Sequence, residues 1–186
     1  MDPGGDAARI FGVLKQHKLK CEQIWLTHSH IDHCGGVRQL QQLSGAKLLA
    51  HPAGREMRAT VERTNEYLGV DDDSMENCPE PDTYINDQDL LQLGEHHFRA
   101  LFTPGHAPDH LAFYNLQQGV LLAGDAVFAG SIGRTDLPGC DHAALIRAIR
   151  TRILTLPPET VIMSGHGPDT TVKKEAATNP FLVGEY

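Results

Sequence analysis

The sequence predicts a mixed α/β fold in a single domain over residues 1–186. In some segments apolar residues recur at helical spacing, in others they form short runs typical of strands, and the two patterns alternate along the chain. The length suits one domain. No internal repeat, low-complexity segment or linker interrupts the pattern. Short strands that alternate with helices predict sheets covered by helices.

The first half of the chain predicts helices and strands in alternation. In order these are a helix capped by Asp6, a strand over 24–26, a helix opened by Gly35 and Gly36, a strand over 47–50 and a helix over 53–68. The last helix is largely polar, so one side of it should be exposed. Residues 70–88 are acidic and contain Pro79 and Pro81, which predicts a loop with the acidic run 71–73 in solvent.

The second half predicts a series of strands and then two helices. The strands cover 89–93, 96–103, 110–115 and 119–123, with Gly and Pro turns between them. A helix over 141–154 begins at Asp141 and turns one apolar face inward, at Leu145, Ile146, Ile149 and Ile153. A buried strand over 161–163 and a polar helix over 170–177 end the pattern.

Composition narrows the class of function. The net charge of −8 argues against binding of nucleic acid or an anionic membrane through bulk electrostatics. An anionic small substrate remains compatible, because a local metal charge can outweigh the global field. No segment approaches the roughly 18 apolar residues of a membrane span, and the first residues do not resemble a signal peptide. The four cysteines form no CxxC pair, which predicts reduced thiols and a cytoplasmic protein.

The segment THSHIDHCGG, residues 27–36, concentrates metal-ligating side chains. His28 and His30 are two residues apart, so on an extended loop they can point the same way. Asp32 and His33 are adjacent and should point apart. One short loop can therefore offer a pair of ligands to each of two neighbouring metal sites.

Three further candidates each follow an apolar strand and lie beside a glycine, which lets the backbone turn sharply. They are His106 in TPGH, Asp125 in LLAGD and His166 in MSGHG. Loops that follow strands in this way predict a site at one edge of a sheet. Imidazole and carboxylate ligands without thiolate suit zinc first, with iron(II) or manganese as alternatives.

Divided by reach along the chain, the candidates make two sites. One ion would take His28, His30 and His106, the other Asp32, His33 and His166, and Asp125 would bridge both. A water between two such ions loses its proton near neutral pH and becomes a bridging hydroxide. A metal would also hold the developing oxyanion. The expected chemistry is hydrolysis without a Ser or Cys nucleophile, with Asp32 and Asp125 as the catalytic carboxylates.

THSHIDH followed in order by TPGH, GD and SGHG resembles the metallo-β-lactamase superfamily. The segments GDAVFAGSIGRTDLPGCD and NPFL resemble its small glyoxalase II-like (hydroxyacylglutathione hydrolase-like) members. The resemblance implies a four-layer αβ/βα sandwich with the site at one edge of two facing sheets. It also implies the division of ligands given above. True lactamases usually carry cysteine in place of the bridging aspartate, so Asp125 argues against a β-lactamase.

Three departures from the family pattern matter. Its members usually have a few additional strands before a VDPGG-like segment, whereas this sequence begins MDPGG, so the resemblance implies a domain lacking its usual first strands. A homodimer would cover the exposed edge. GHAPDH stands where GHTxGH is common, which places Ala107 and Asp109 near the metals. The helical domain with which larger glyoxalase II enzymes bind glutathione has no counterpart here, so recognition of glutathione is left open.

The leading hypothesis is a dinuclear hydrolase of a small-molecule thioester such as S-lactoylglutathione, which is a glutathione conjugate. The first alternative is an iron persulfide dioxygenase that uses His28, His106 and Asp125 as a facial triad. Lactonase or phosphodiesterase activity and an inactive, truncated metal-binding remnant are the others. His110 is expected to orient a neighbouring side chain. Arg134 and Asp136 are expected either to brace their loop as an ion pair or to contact substrate.

Overall fold

The structure, a computed structural model, describes residues 1–69 and 75–184. The chain forms two compact units, Met1–Ile85 and Asn86–Tyr186, called here the first and the second unit. The first unit contains a three-stranded sheet, and the second contains a six-stranded sheet and a two-stranded hairpin. Helices accompany the sheet in both units, as a mixed α/β class requires.

The sheet of the first unit is parallel, with strands in the order β1, β2, β3. The strands are β1 Gln23–Trp25, β2 Lys47–Ala50 and β3 Thr83–Tyr84, and the helices are α1 Ala7–Gln16, α2 Ile31–Cys34, α3 Val37–Ser44, α4 Arg55–Arg58 and α5 Val61–Leu68. Parallel neighbours need a long crossover, and α2 and α3 supply it between β1 and β2. The apolar residues of α3 that face inward, Val37 and Leu40, are buried with Ile24 and Leu48 of the two strands.

The prediction of one continuous polar helix over 53–68 is wrong. The segment contains a 3₁₀ turn, Pro52–Gly54, and then the separate helices α4 and α5. The break falls at Thr60, whose hydroxyl lies 3.0 Å from the carbonyl oxygen of Glu56 and 3.3 Å from that of Met57. The Thr60 backbone leaves the helical region at this point, with φ −124° and ψ 18°.

Two further expectations in this unit need correction. α1 begins after Asp6 as predicted, but Asp6 makes no capping hydrogen bond, because its backbone is left-handed (φ 54°). Its carboxylate instead lies 3.6 Å from the Arg9 guanidinium. The loop expected over 70–88 contains β3, which pairs with β2. Residues 70–74, with the acidic run 71–73, lie outside the described residues.

The six-stranded sheet of the second unit has the order β11, β10, β7, β6, β5, β4. Its strands are β4 Leu90–Leu93, β5 His96–Phe102, β6 Leu111–Asn115, β7 Val120–Gly124, β10 Val161–Ser164 and β11 Thr170–Thr171, and the hairpin is β8 Val127–Phe128 with β9 Ser131–Ile132. The helices are α6 His142–Ala148, extended by a wide turn over Ile149–Ile153, and α7 Val172–Thr178. The strands predicted over 89–93, 96–103, 110–115, 119–123 and 161–163 are confirmed within a residue or so at their ends.

Strand direction in this sheet gathers three loops at one edge. β5 and β7 are each antiparallel to β6, and β10 is parallel to β7, so β5, β7 and β10 all run the same way. Their carboxyl ends therefore lie at the same edge of the sheet. His106, Asp125 and His166 follow these three ends, as the apolar runs before them predict.

The helix α6 and its extension pack on the six-stranded sheet. Leu145, Ile146, Ile149 and Ile153 are buried, which confirms the predicted inward face. Asp141 accepts a hydrogen bond from the Ala144 amide at 2.9 Å, which confirms it as the cap. Gly105 precedes His106 with φ +136°, and a side chain there would collide with the backbone of Leu145. The loop that carries His106 is thus packed directly on the start of α6. Among the described residues, no helix has the length and apolar character needed to cross a membrane.

Replacing Tyr114 by phenylalanine is expected to leave the free energy of unfolding unchanged or to raise it by about 1 kcal/mol. The Tyr114 side chain is buried in the core of the second unit, and its hydroxyl has no hydrogen-bond partner among the described residues. A buried hydroxyl without a partner costs free energy, and the phenylalanine ring keeps the packing. Urea unfolding of both proteins measures the difference. A loss of more than about 1 kcal/mol would show that the hydroxyl has a stabilising partner.

Candidate metal centre

The loop between β1 and α2 holds the first group of predicted ligands. His28 is fully buried, and its Nε2 lies 2.9 Å from Nδ1 of His30, with the two rings close to perpendicular. His30 has extended backbone angles, which bring the alternate residues of the loop to the same side. Two imidazole nitrogens that converge in this way fit two ligands of one ion at about 2.0–2.1 Å from each.

Asp2 holds this loop and was missed by sequence reasoning. One carboxylate oxygen accepts the Thr27 amide hydrogen at 2.8 Å, and the other lies 2.8 Å from the Thr27 hydroxyl and 3.3 Å from Nδ1 of His33. The only signal in the sequence was the MDPGG segment, which resembles a family feature but indicates no role for its aspartate. Asp2 therefore orients side chains on both sides of the loop.

The hydrogen bonds around Thr27 fix the proton on His28. The Thr27 hydroxyl has one proton, and a carboxylate can only accept, so Thr27 donates to Asp2 and accepts from Nδ1 of His28 at 3.0 Å. In the neutral imidazole, Nε2 then carries the lone pair. This is the nitrogen that faces His30. The relay from Asp2 through Thr27 thus leaves the Nε2 lone pair of His28 available to a metal, as the predicted ligand role requires.

The prediction that the adjacent residues Asp32 and His33 point apart is wrong, because their side chains approach each other. The His33 ring also lies close to the His28 ring, with centroids 4.0 Å apart. Nε2 of His33 lies 3.7 Å from the Asp32 carboxylate, which is half exposed, whereas the His33 side chain is buried. Because Nδ1 of His33 faces Asp2, Nε2 is the nitrogen turned toward Asp32. The His33 carbonyl accepts the Gly4 amide hydrogen at 3.0 Å, so the segment that carries Asp2 is also tied to the ligand helix α2.

A buried arginine lies behind the loop. The Arg58 guanidinium donates to the Ser29 hydroxyl and to the His51 carbonyl, both at 3.1 Å, although only 1% of the residue is exposed. Burial, and then the positive charge of Arg58, lower the pKa of His51. The Ser29 carbonyl accepts a weak hydrogen bond from Cys34, which is fully buried. Ser29 is therefore held from two sides between His28 and His30.

Replacing Asp2 by asparagine is expected to weaken metal binding by about 10- to 100-fold. Asparagine keeps the shape but offers an amide NH₂ where the carboxylate accepted hydrogens from Thr27 and His33. Competition with a chromophoric chelator measures the affinity. Asp6→Asn is the matched control, since Asp6 is exposed and its carboxylate pairs with Arg9 at the surface. Equal affinities for both variants would show that Asp2 does not support the ligands.

Asp125 lies between two histidines in the second unit. One carboxylate oxygen, Oδ2, is 3.6 Å from Nε2 of His106 and 3.6 Å from Nε2 of His166. Asp125 and His106 are nearly buried, while the His166 side chain is more than half exposed. A single oxygen equidistant from two imidazole nitrogens is compatible with a carboxylate shared between two cations. The structure therefore brings together all three predicted ligands of this unit.

The proton on His106 is fixed as firmly as that on His28. Nδ1 of His106 lies 2.9 Å from the carbonyl oxygen of Arg134, and because a carbonyl only accepts, Nδ1 carries the hydrogen. Nε2, the nitrogen that faces Asp125, then carries the lone pair. Gly133 makes this contact possible, because a side chain there would collide with the carbonyl oxygen of Asp125 and the His106 ring. The thiol of Cys140 also lies 3.0 Å from the His106 carbonyl.

His110 has both ring nitrogens engaged by neighbouring groups. Its Nε2 accepts the amide hydrogen of Asp125 at 3.0 Å, so Nδ1 carries the proton and donates to the Thr103 hydroxyl at 2.8 Å. This places His110 directly behind Asp125 and holds the backbone of that residue. Its neighbours Ala107 and Asp109, which depart from the common family pattern, are both buried.

Arg134 and Asp136 form a bidentate ion pair at the surface, with N···O distances of 2.7 and 2.9 Å. The Arg134 guanidinium lowers the pKa of Asp136 to about 2. Because the carboxyl pKa is lowered, the ion pair persists as the pH falls below the usual aspartate pKa and is lost only toward pH 2. The side chains therefore brace the loop whose Arg134 carbonyl orients His106. Phe128 lies near His166, with ring centroids 6.3 Å apart, and was not singled out from the sequence.

Comparison with known proteins identifies the family. A family model described as the metallo-beta-lactamase superfamily matches residues 1–166. The hydroxyacylglutathione hydrolase GloC of Haemophilus influenzae is 34% identical over 184 residues, which cover 98% of this chain and 85% of that protein. The crystal structure of BLEG-1 B3 metallo-beta-lactamase matches with a TM-score of 0.88 and 36% identity, covering 98% of this chain and 87% of that one. The crystal structure of TTHA1623 in a di-iron-bound form matches with a TM-score of 0.88 and 35% identity, covering 97% and 87%.

These matches extend over nearly the whole chain, and the matched segment 1–166 contains every predicted metal ligand. They confirm the predicted mixed α/β fold of the metallo-β-lactamase type. They also confirm the resemblance that THSHIDH, TPGH, GD and SGHG suggested. The chain therefore belongs to the metallo-β-lactamase superfamily, as a metal-binding hydrolase.

Proposed function

We propose that the chain is a dinuclear metal-dependent hydrolase of a thioester such as S-lactoylglutathione. The observation that carries this proposal is the position of Asp125 Oδ2, 3.6 Å from Nε2 of both His106 and His166. A carboxylate so placed suits two ions better than one. The proposed ligands are nitrogen and oxygen donors spread along the chain: His28, His30 and His106 for one ion, Asp32, His33 and His166 for the other, and Asp125 for both.

The residues present fit two divalent cations. His28 and His106 each hold a proton on Nδ1, by bonds to Thr27 and to the Arg134 carbonyl, so each offers the lone pair of Nε2. Fixing the tautomer of a ligand imidazole from outside is the usual support of a metal site. Nitrogen and oxygen donors suit zinc, our first choice, and also iron or manganese. The di-iron form of TTHA1623 supports iron as the alternative.

Two such ions, when bound, supply a hydroxide near neutral pH and polarise the thioester carbonyl. The chain's own residues position the reaction. His110 holds the Asp125 backbone. Asp32 would position the metal and the hydroxide. A thiolate leaves without strong acid assistance, since an ordinary thiol has a pKa of about 8.5. A general acid beside the leaving sulfur is therefore unnecessary.

The choice of substrate draws on the relatives and on the chain itself. GloC is named for hydrolysis of hydroxyacylglutathione, which supports a thioester and a glutathione conjugate in particular. The four cysteines are free, which fits a reducing, cytoplasmic compartment where glutathione is abundant. A homodimer remains a prediction. The BLEG-1 lactamase makes a β-lactam the second substrate to test.

The test is hydrolysis of S-lactoylglutathione by the protein reconstituted with zinc, iron(II) or manganese, followed as release of thiol. We expect turnover that a chelator abolishes and added metal restores. A β-lactam and glutathione persulfide, the latter with oxygen uptake recorded, are run in parallel. A folded, fully metallated sample without thioesterase activity contradicts the proposal. Faster turnover of the β-lactam, or oxygen uptake with the persulfide, would assign one of those activities instead.

A further inference from the structure

A pocket lies within the second unit, on the face of the sheet formed by β4, β5 and β6. Its volume is about 470 Å³, and the residues that follow α6, Thr151 to Leu156, form its other wall. That volume falls within the range of small-molecule sites, about 300–1,000 Å³. None of the seven proposed metal ligands lines it. The pocket is therefore distinct from the proposed metal centre.

The charge of this pocket is opposite to that of the protein. The chain carries a net charge of −8, yet the described residues that line the pocket include Arg99, Arg152 and His97 and no aspartate or glutamate. Such a local excess of guanidinium groups attracts an anion, because local charge rather than net charge sets the field inside a concave site. A cationic or neutral ligand would gain nothing from these groups.

The two arginines are held differently. Arg152 donates to the Asp87 carboxylate at 2.8 Å, and Asp87 is tied in turn to the Phe102 amide, so the charge of Arg152 is largely neutralised. Arg99 makes no ion pair within the parts of the chain that the structure describes. Arg99 is therefore the side chain from which an anionic head group would gain most. A planar guanidinium suits a carboxylate, which it can bind through two parallel hydrogen bonds.

The rest of the lining is apolar and partly open. The strand register places Leu90 opposite Arg99 and Arg99 opposite Tyr114, so the three side chains form a row on one face of the sheet. Leu116 also lines the pocket, and Leu90 and Leu116 are 68% and 70% exposed. The Tyr114 ring also lines the pocket, while its hydroxyl is buried. An alkyl or aryl body beside the anion would cover this apolar surface.

We propose that this pocket binds a small amphipathic carboxylate, with its head group on Arg99 and its hydrocarbon body against Leu90, Leu116 and the Tyr114 ring. The charge of the lining selects the anion, and the leucines select the apolar body. Since Arg99 is exposed, water screens the ion pair and the affinity is modest. This proposal is independent of the metal centre and of the reaction performed there.

Titration of the metallated protein with octanoate, followed by calorimetry and by amide NMR shifts, tests the proposal. We expect saturable binding with a Kd on the order of 0.1–1 mM, the range reached by ligands of this size. Arg99→Gln should weaken it by about fivefold or more. Arg147→Gln is the matched control. Arg147 is an exposed arginine of α6 that does not line the pocket, so its substitution removes the same charge elsewhere. Octanol and octylammonium carry the same alkyl chain without the carboxylate, so their affinities show how much the negative charge contributes.

Several outcomes would overturn the proposal. Absence of saturable octanoate binding does so, as does an equal effect of Arg99→Gln and Arg147→Gln. Binding of octanol as tight as that of octanoate would show that the guanidinium plays no part. Light scattering decides between a ligand and a second copy of the chain. A dimer that Arg99→Gln dissociates, and whose formation blocks octanoate, would assign the pocket to self-association.

Discussion

Replacing Asp125 by asparagine is expected to lower the thioesterase rate by about 10³-fold or more, and to reduce the bound metal from two ions per chain to one or fewer. Asparagine has the size of aspartate but no negative charge, so its amide oxygen is a weaker ligand for cations. The carboxylate that lies 3.6 Å from both His106 and His166 would then be unable to serve two cations. The rate and the metal content, measured on the same sample, give both effects.

Glu95→Gln is the control for the Asp125 variant. Glu95 is exposed at the turn between β4 and β5, and the substitution removes the same unit of charge. It should leave rate and metal content unchanged. If Asp125→Asn retains two ions and a rate within about tenfold of the original, Asp125 does not bridge the metals and the dinuclear proposal fails.

Replacing Gly133 by alanine is expected to have the largest effect of any substitution outside the ligands. The new methyl group would collide with the Asp125 carbonyl oxygen and would lie 3.0 Å from His106 carbon atoms. Relief requires movement of the backbone, at a cost of about 3 kcal/mol in the free energy of unfolding. It also displaces two ligands, which should lower the rate by about 100-fold.

Gly12→Ala is the matched control, with an effect of opposite sign. Gly12 lies within α1, and a side chain there would meet no atom within 4 Å. Alanine should stabilise the helix by about 0.5–1 kcal/mol, because glycine loses more backbone entropy on folding. Thermal unfolding and the rate of both variants are compared. An unaltered rate in Gly133→Ala would mean that the close contact with Asp125 and His106 does not position them.

Much of this fold could be predicted because its signals are local. An apolar run followed by glycine and a polar residue marks the end of a strand, and this rule found His106, Asp125 and His166. The parallel direction of β5, β7 and β10 then places these residues at one edge, a consequence that needs no knowledge of packing. The inward face of α6 followed from helical spacing in the same way.

The errors fall where distant residues or the local backbone decide. Asp2 contacts Thr27 and His33 across more than twenty positions of sequence, so no local pattern reveals it. Asp6 stands where a cap is expected, but its left-handed backbone prevents the hydrogen bond. The polar helix is interrupted at Thr60, whose backbone angles lie outside the helical region. The composition of the segment does not reveal this break.

In the proposed mechanism, two ions held by these seven side chains carry out the hydrolysis. The most direct test is to strip the protein of metal and to measure thioesterase rate and bound metal together while ions are added one equivalent at a time. We expect binding to saturate at two ions per chain and the rate to rise mainly with the second. Saturation of both binding and rate at one ion per chain would contradict the claim and favour a mononuclear centre.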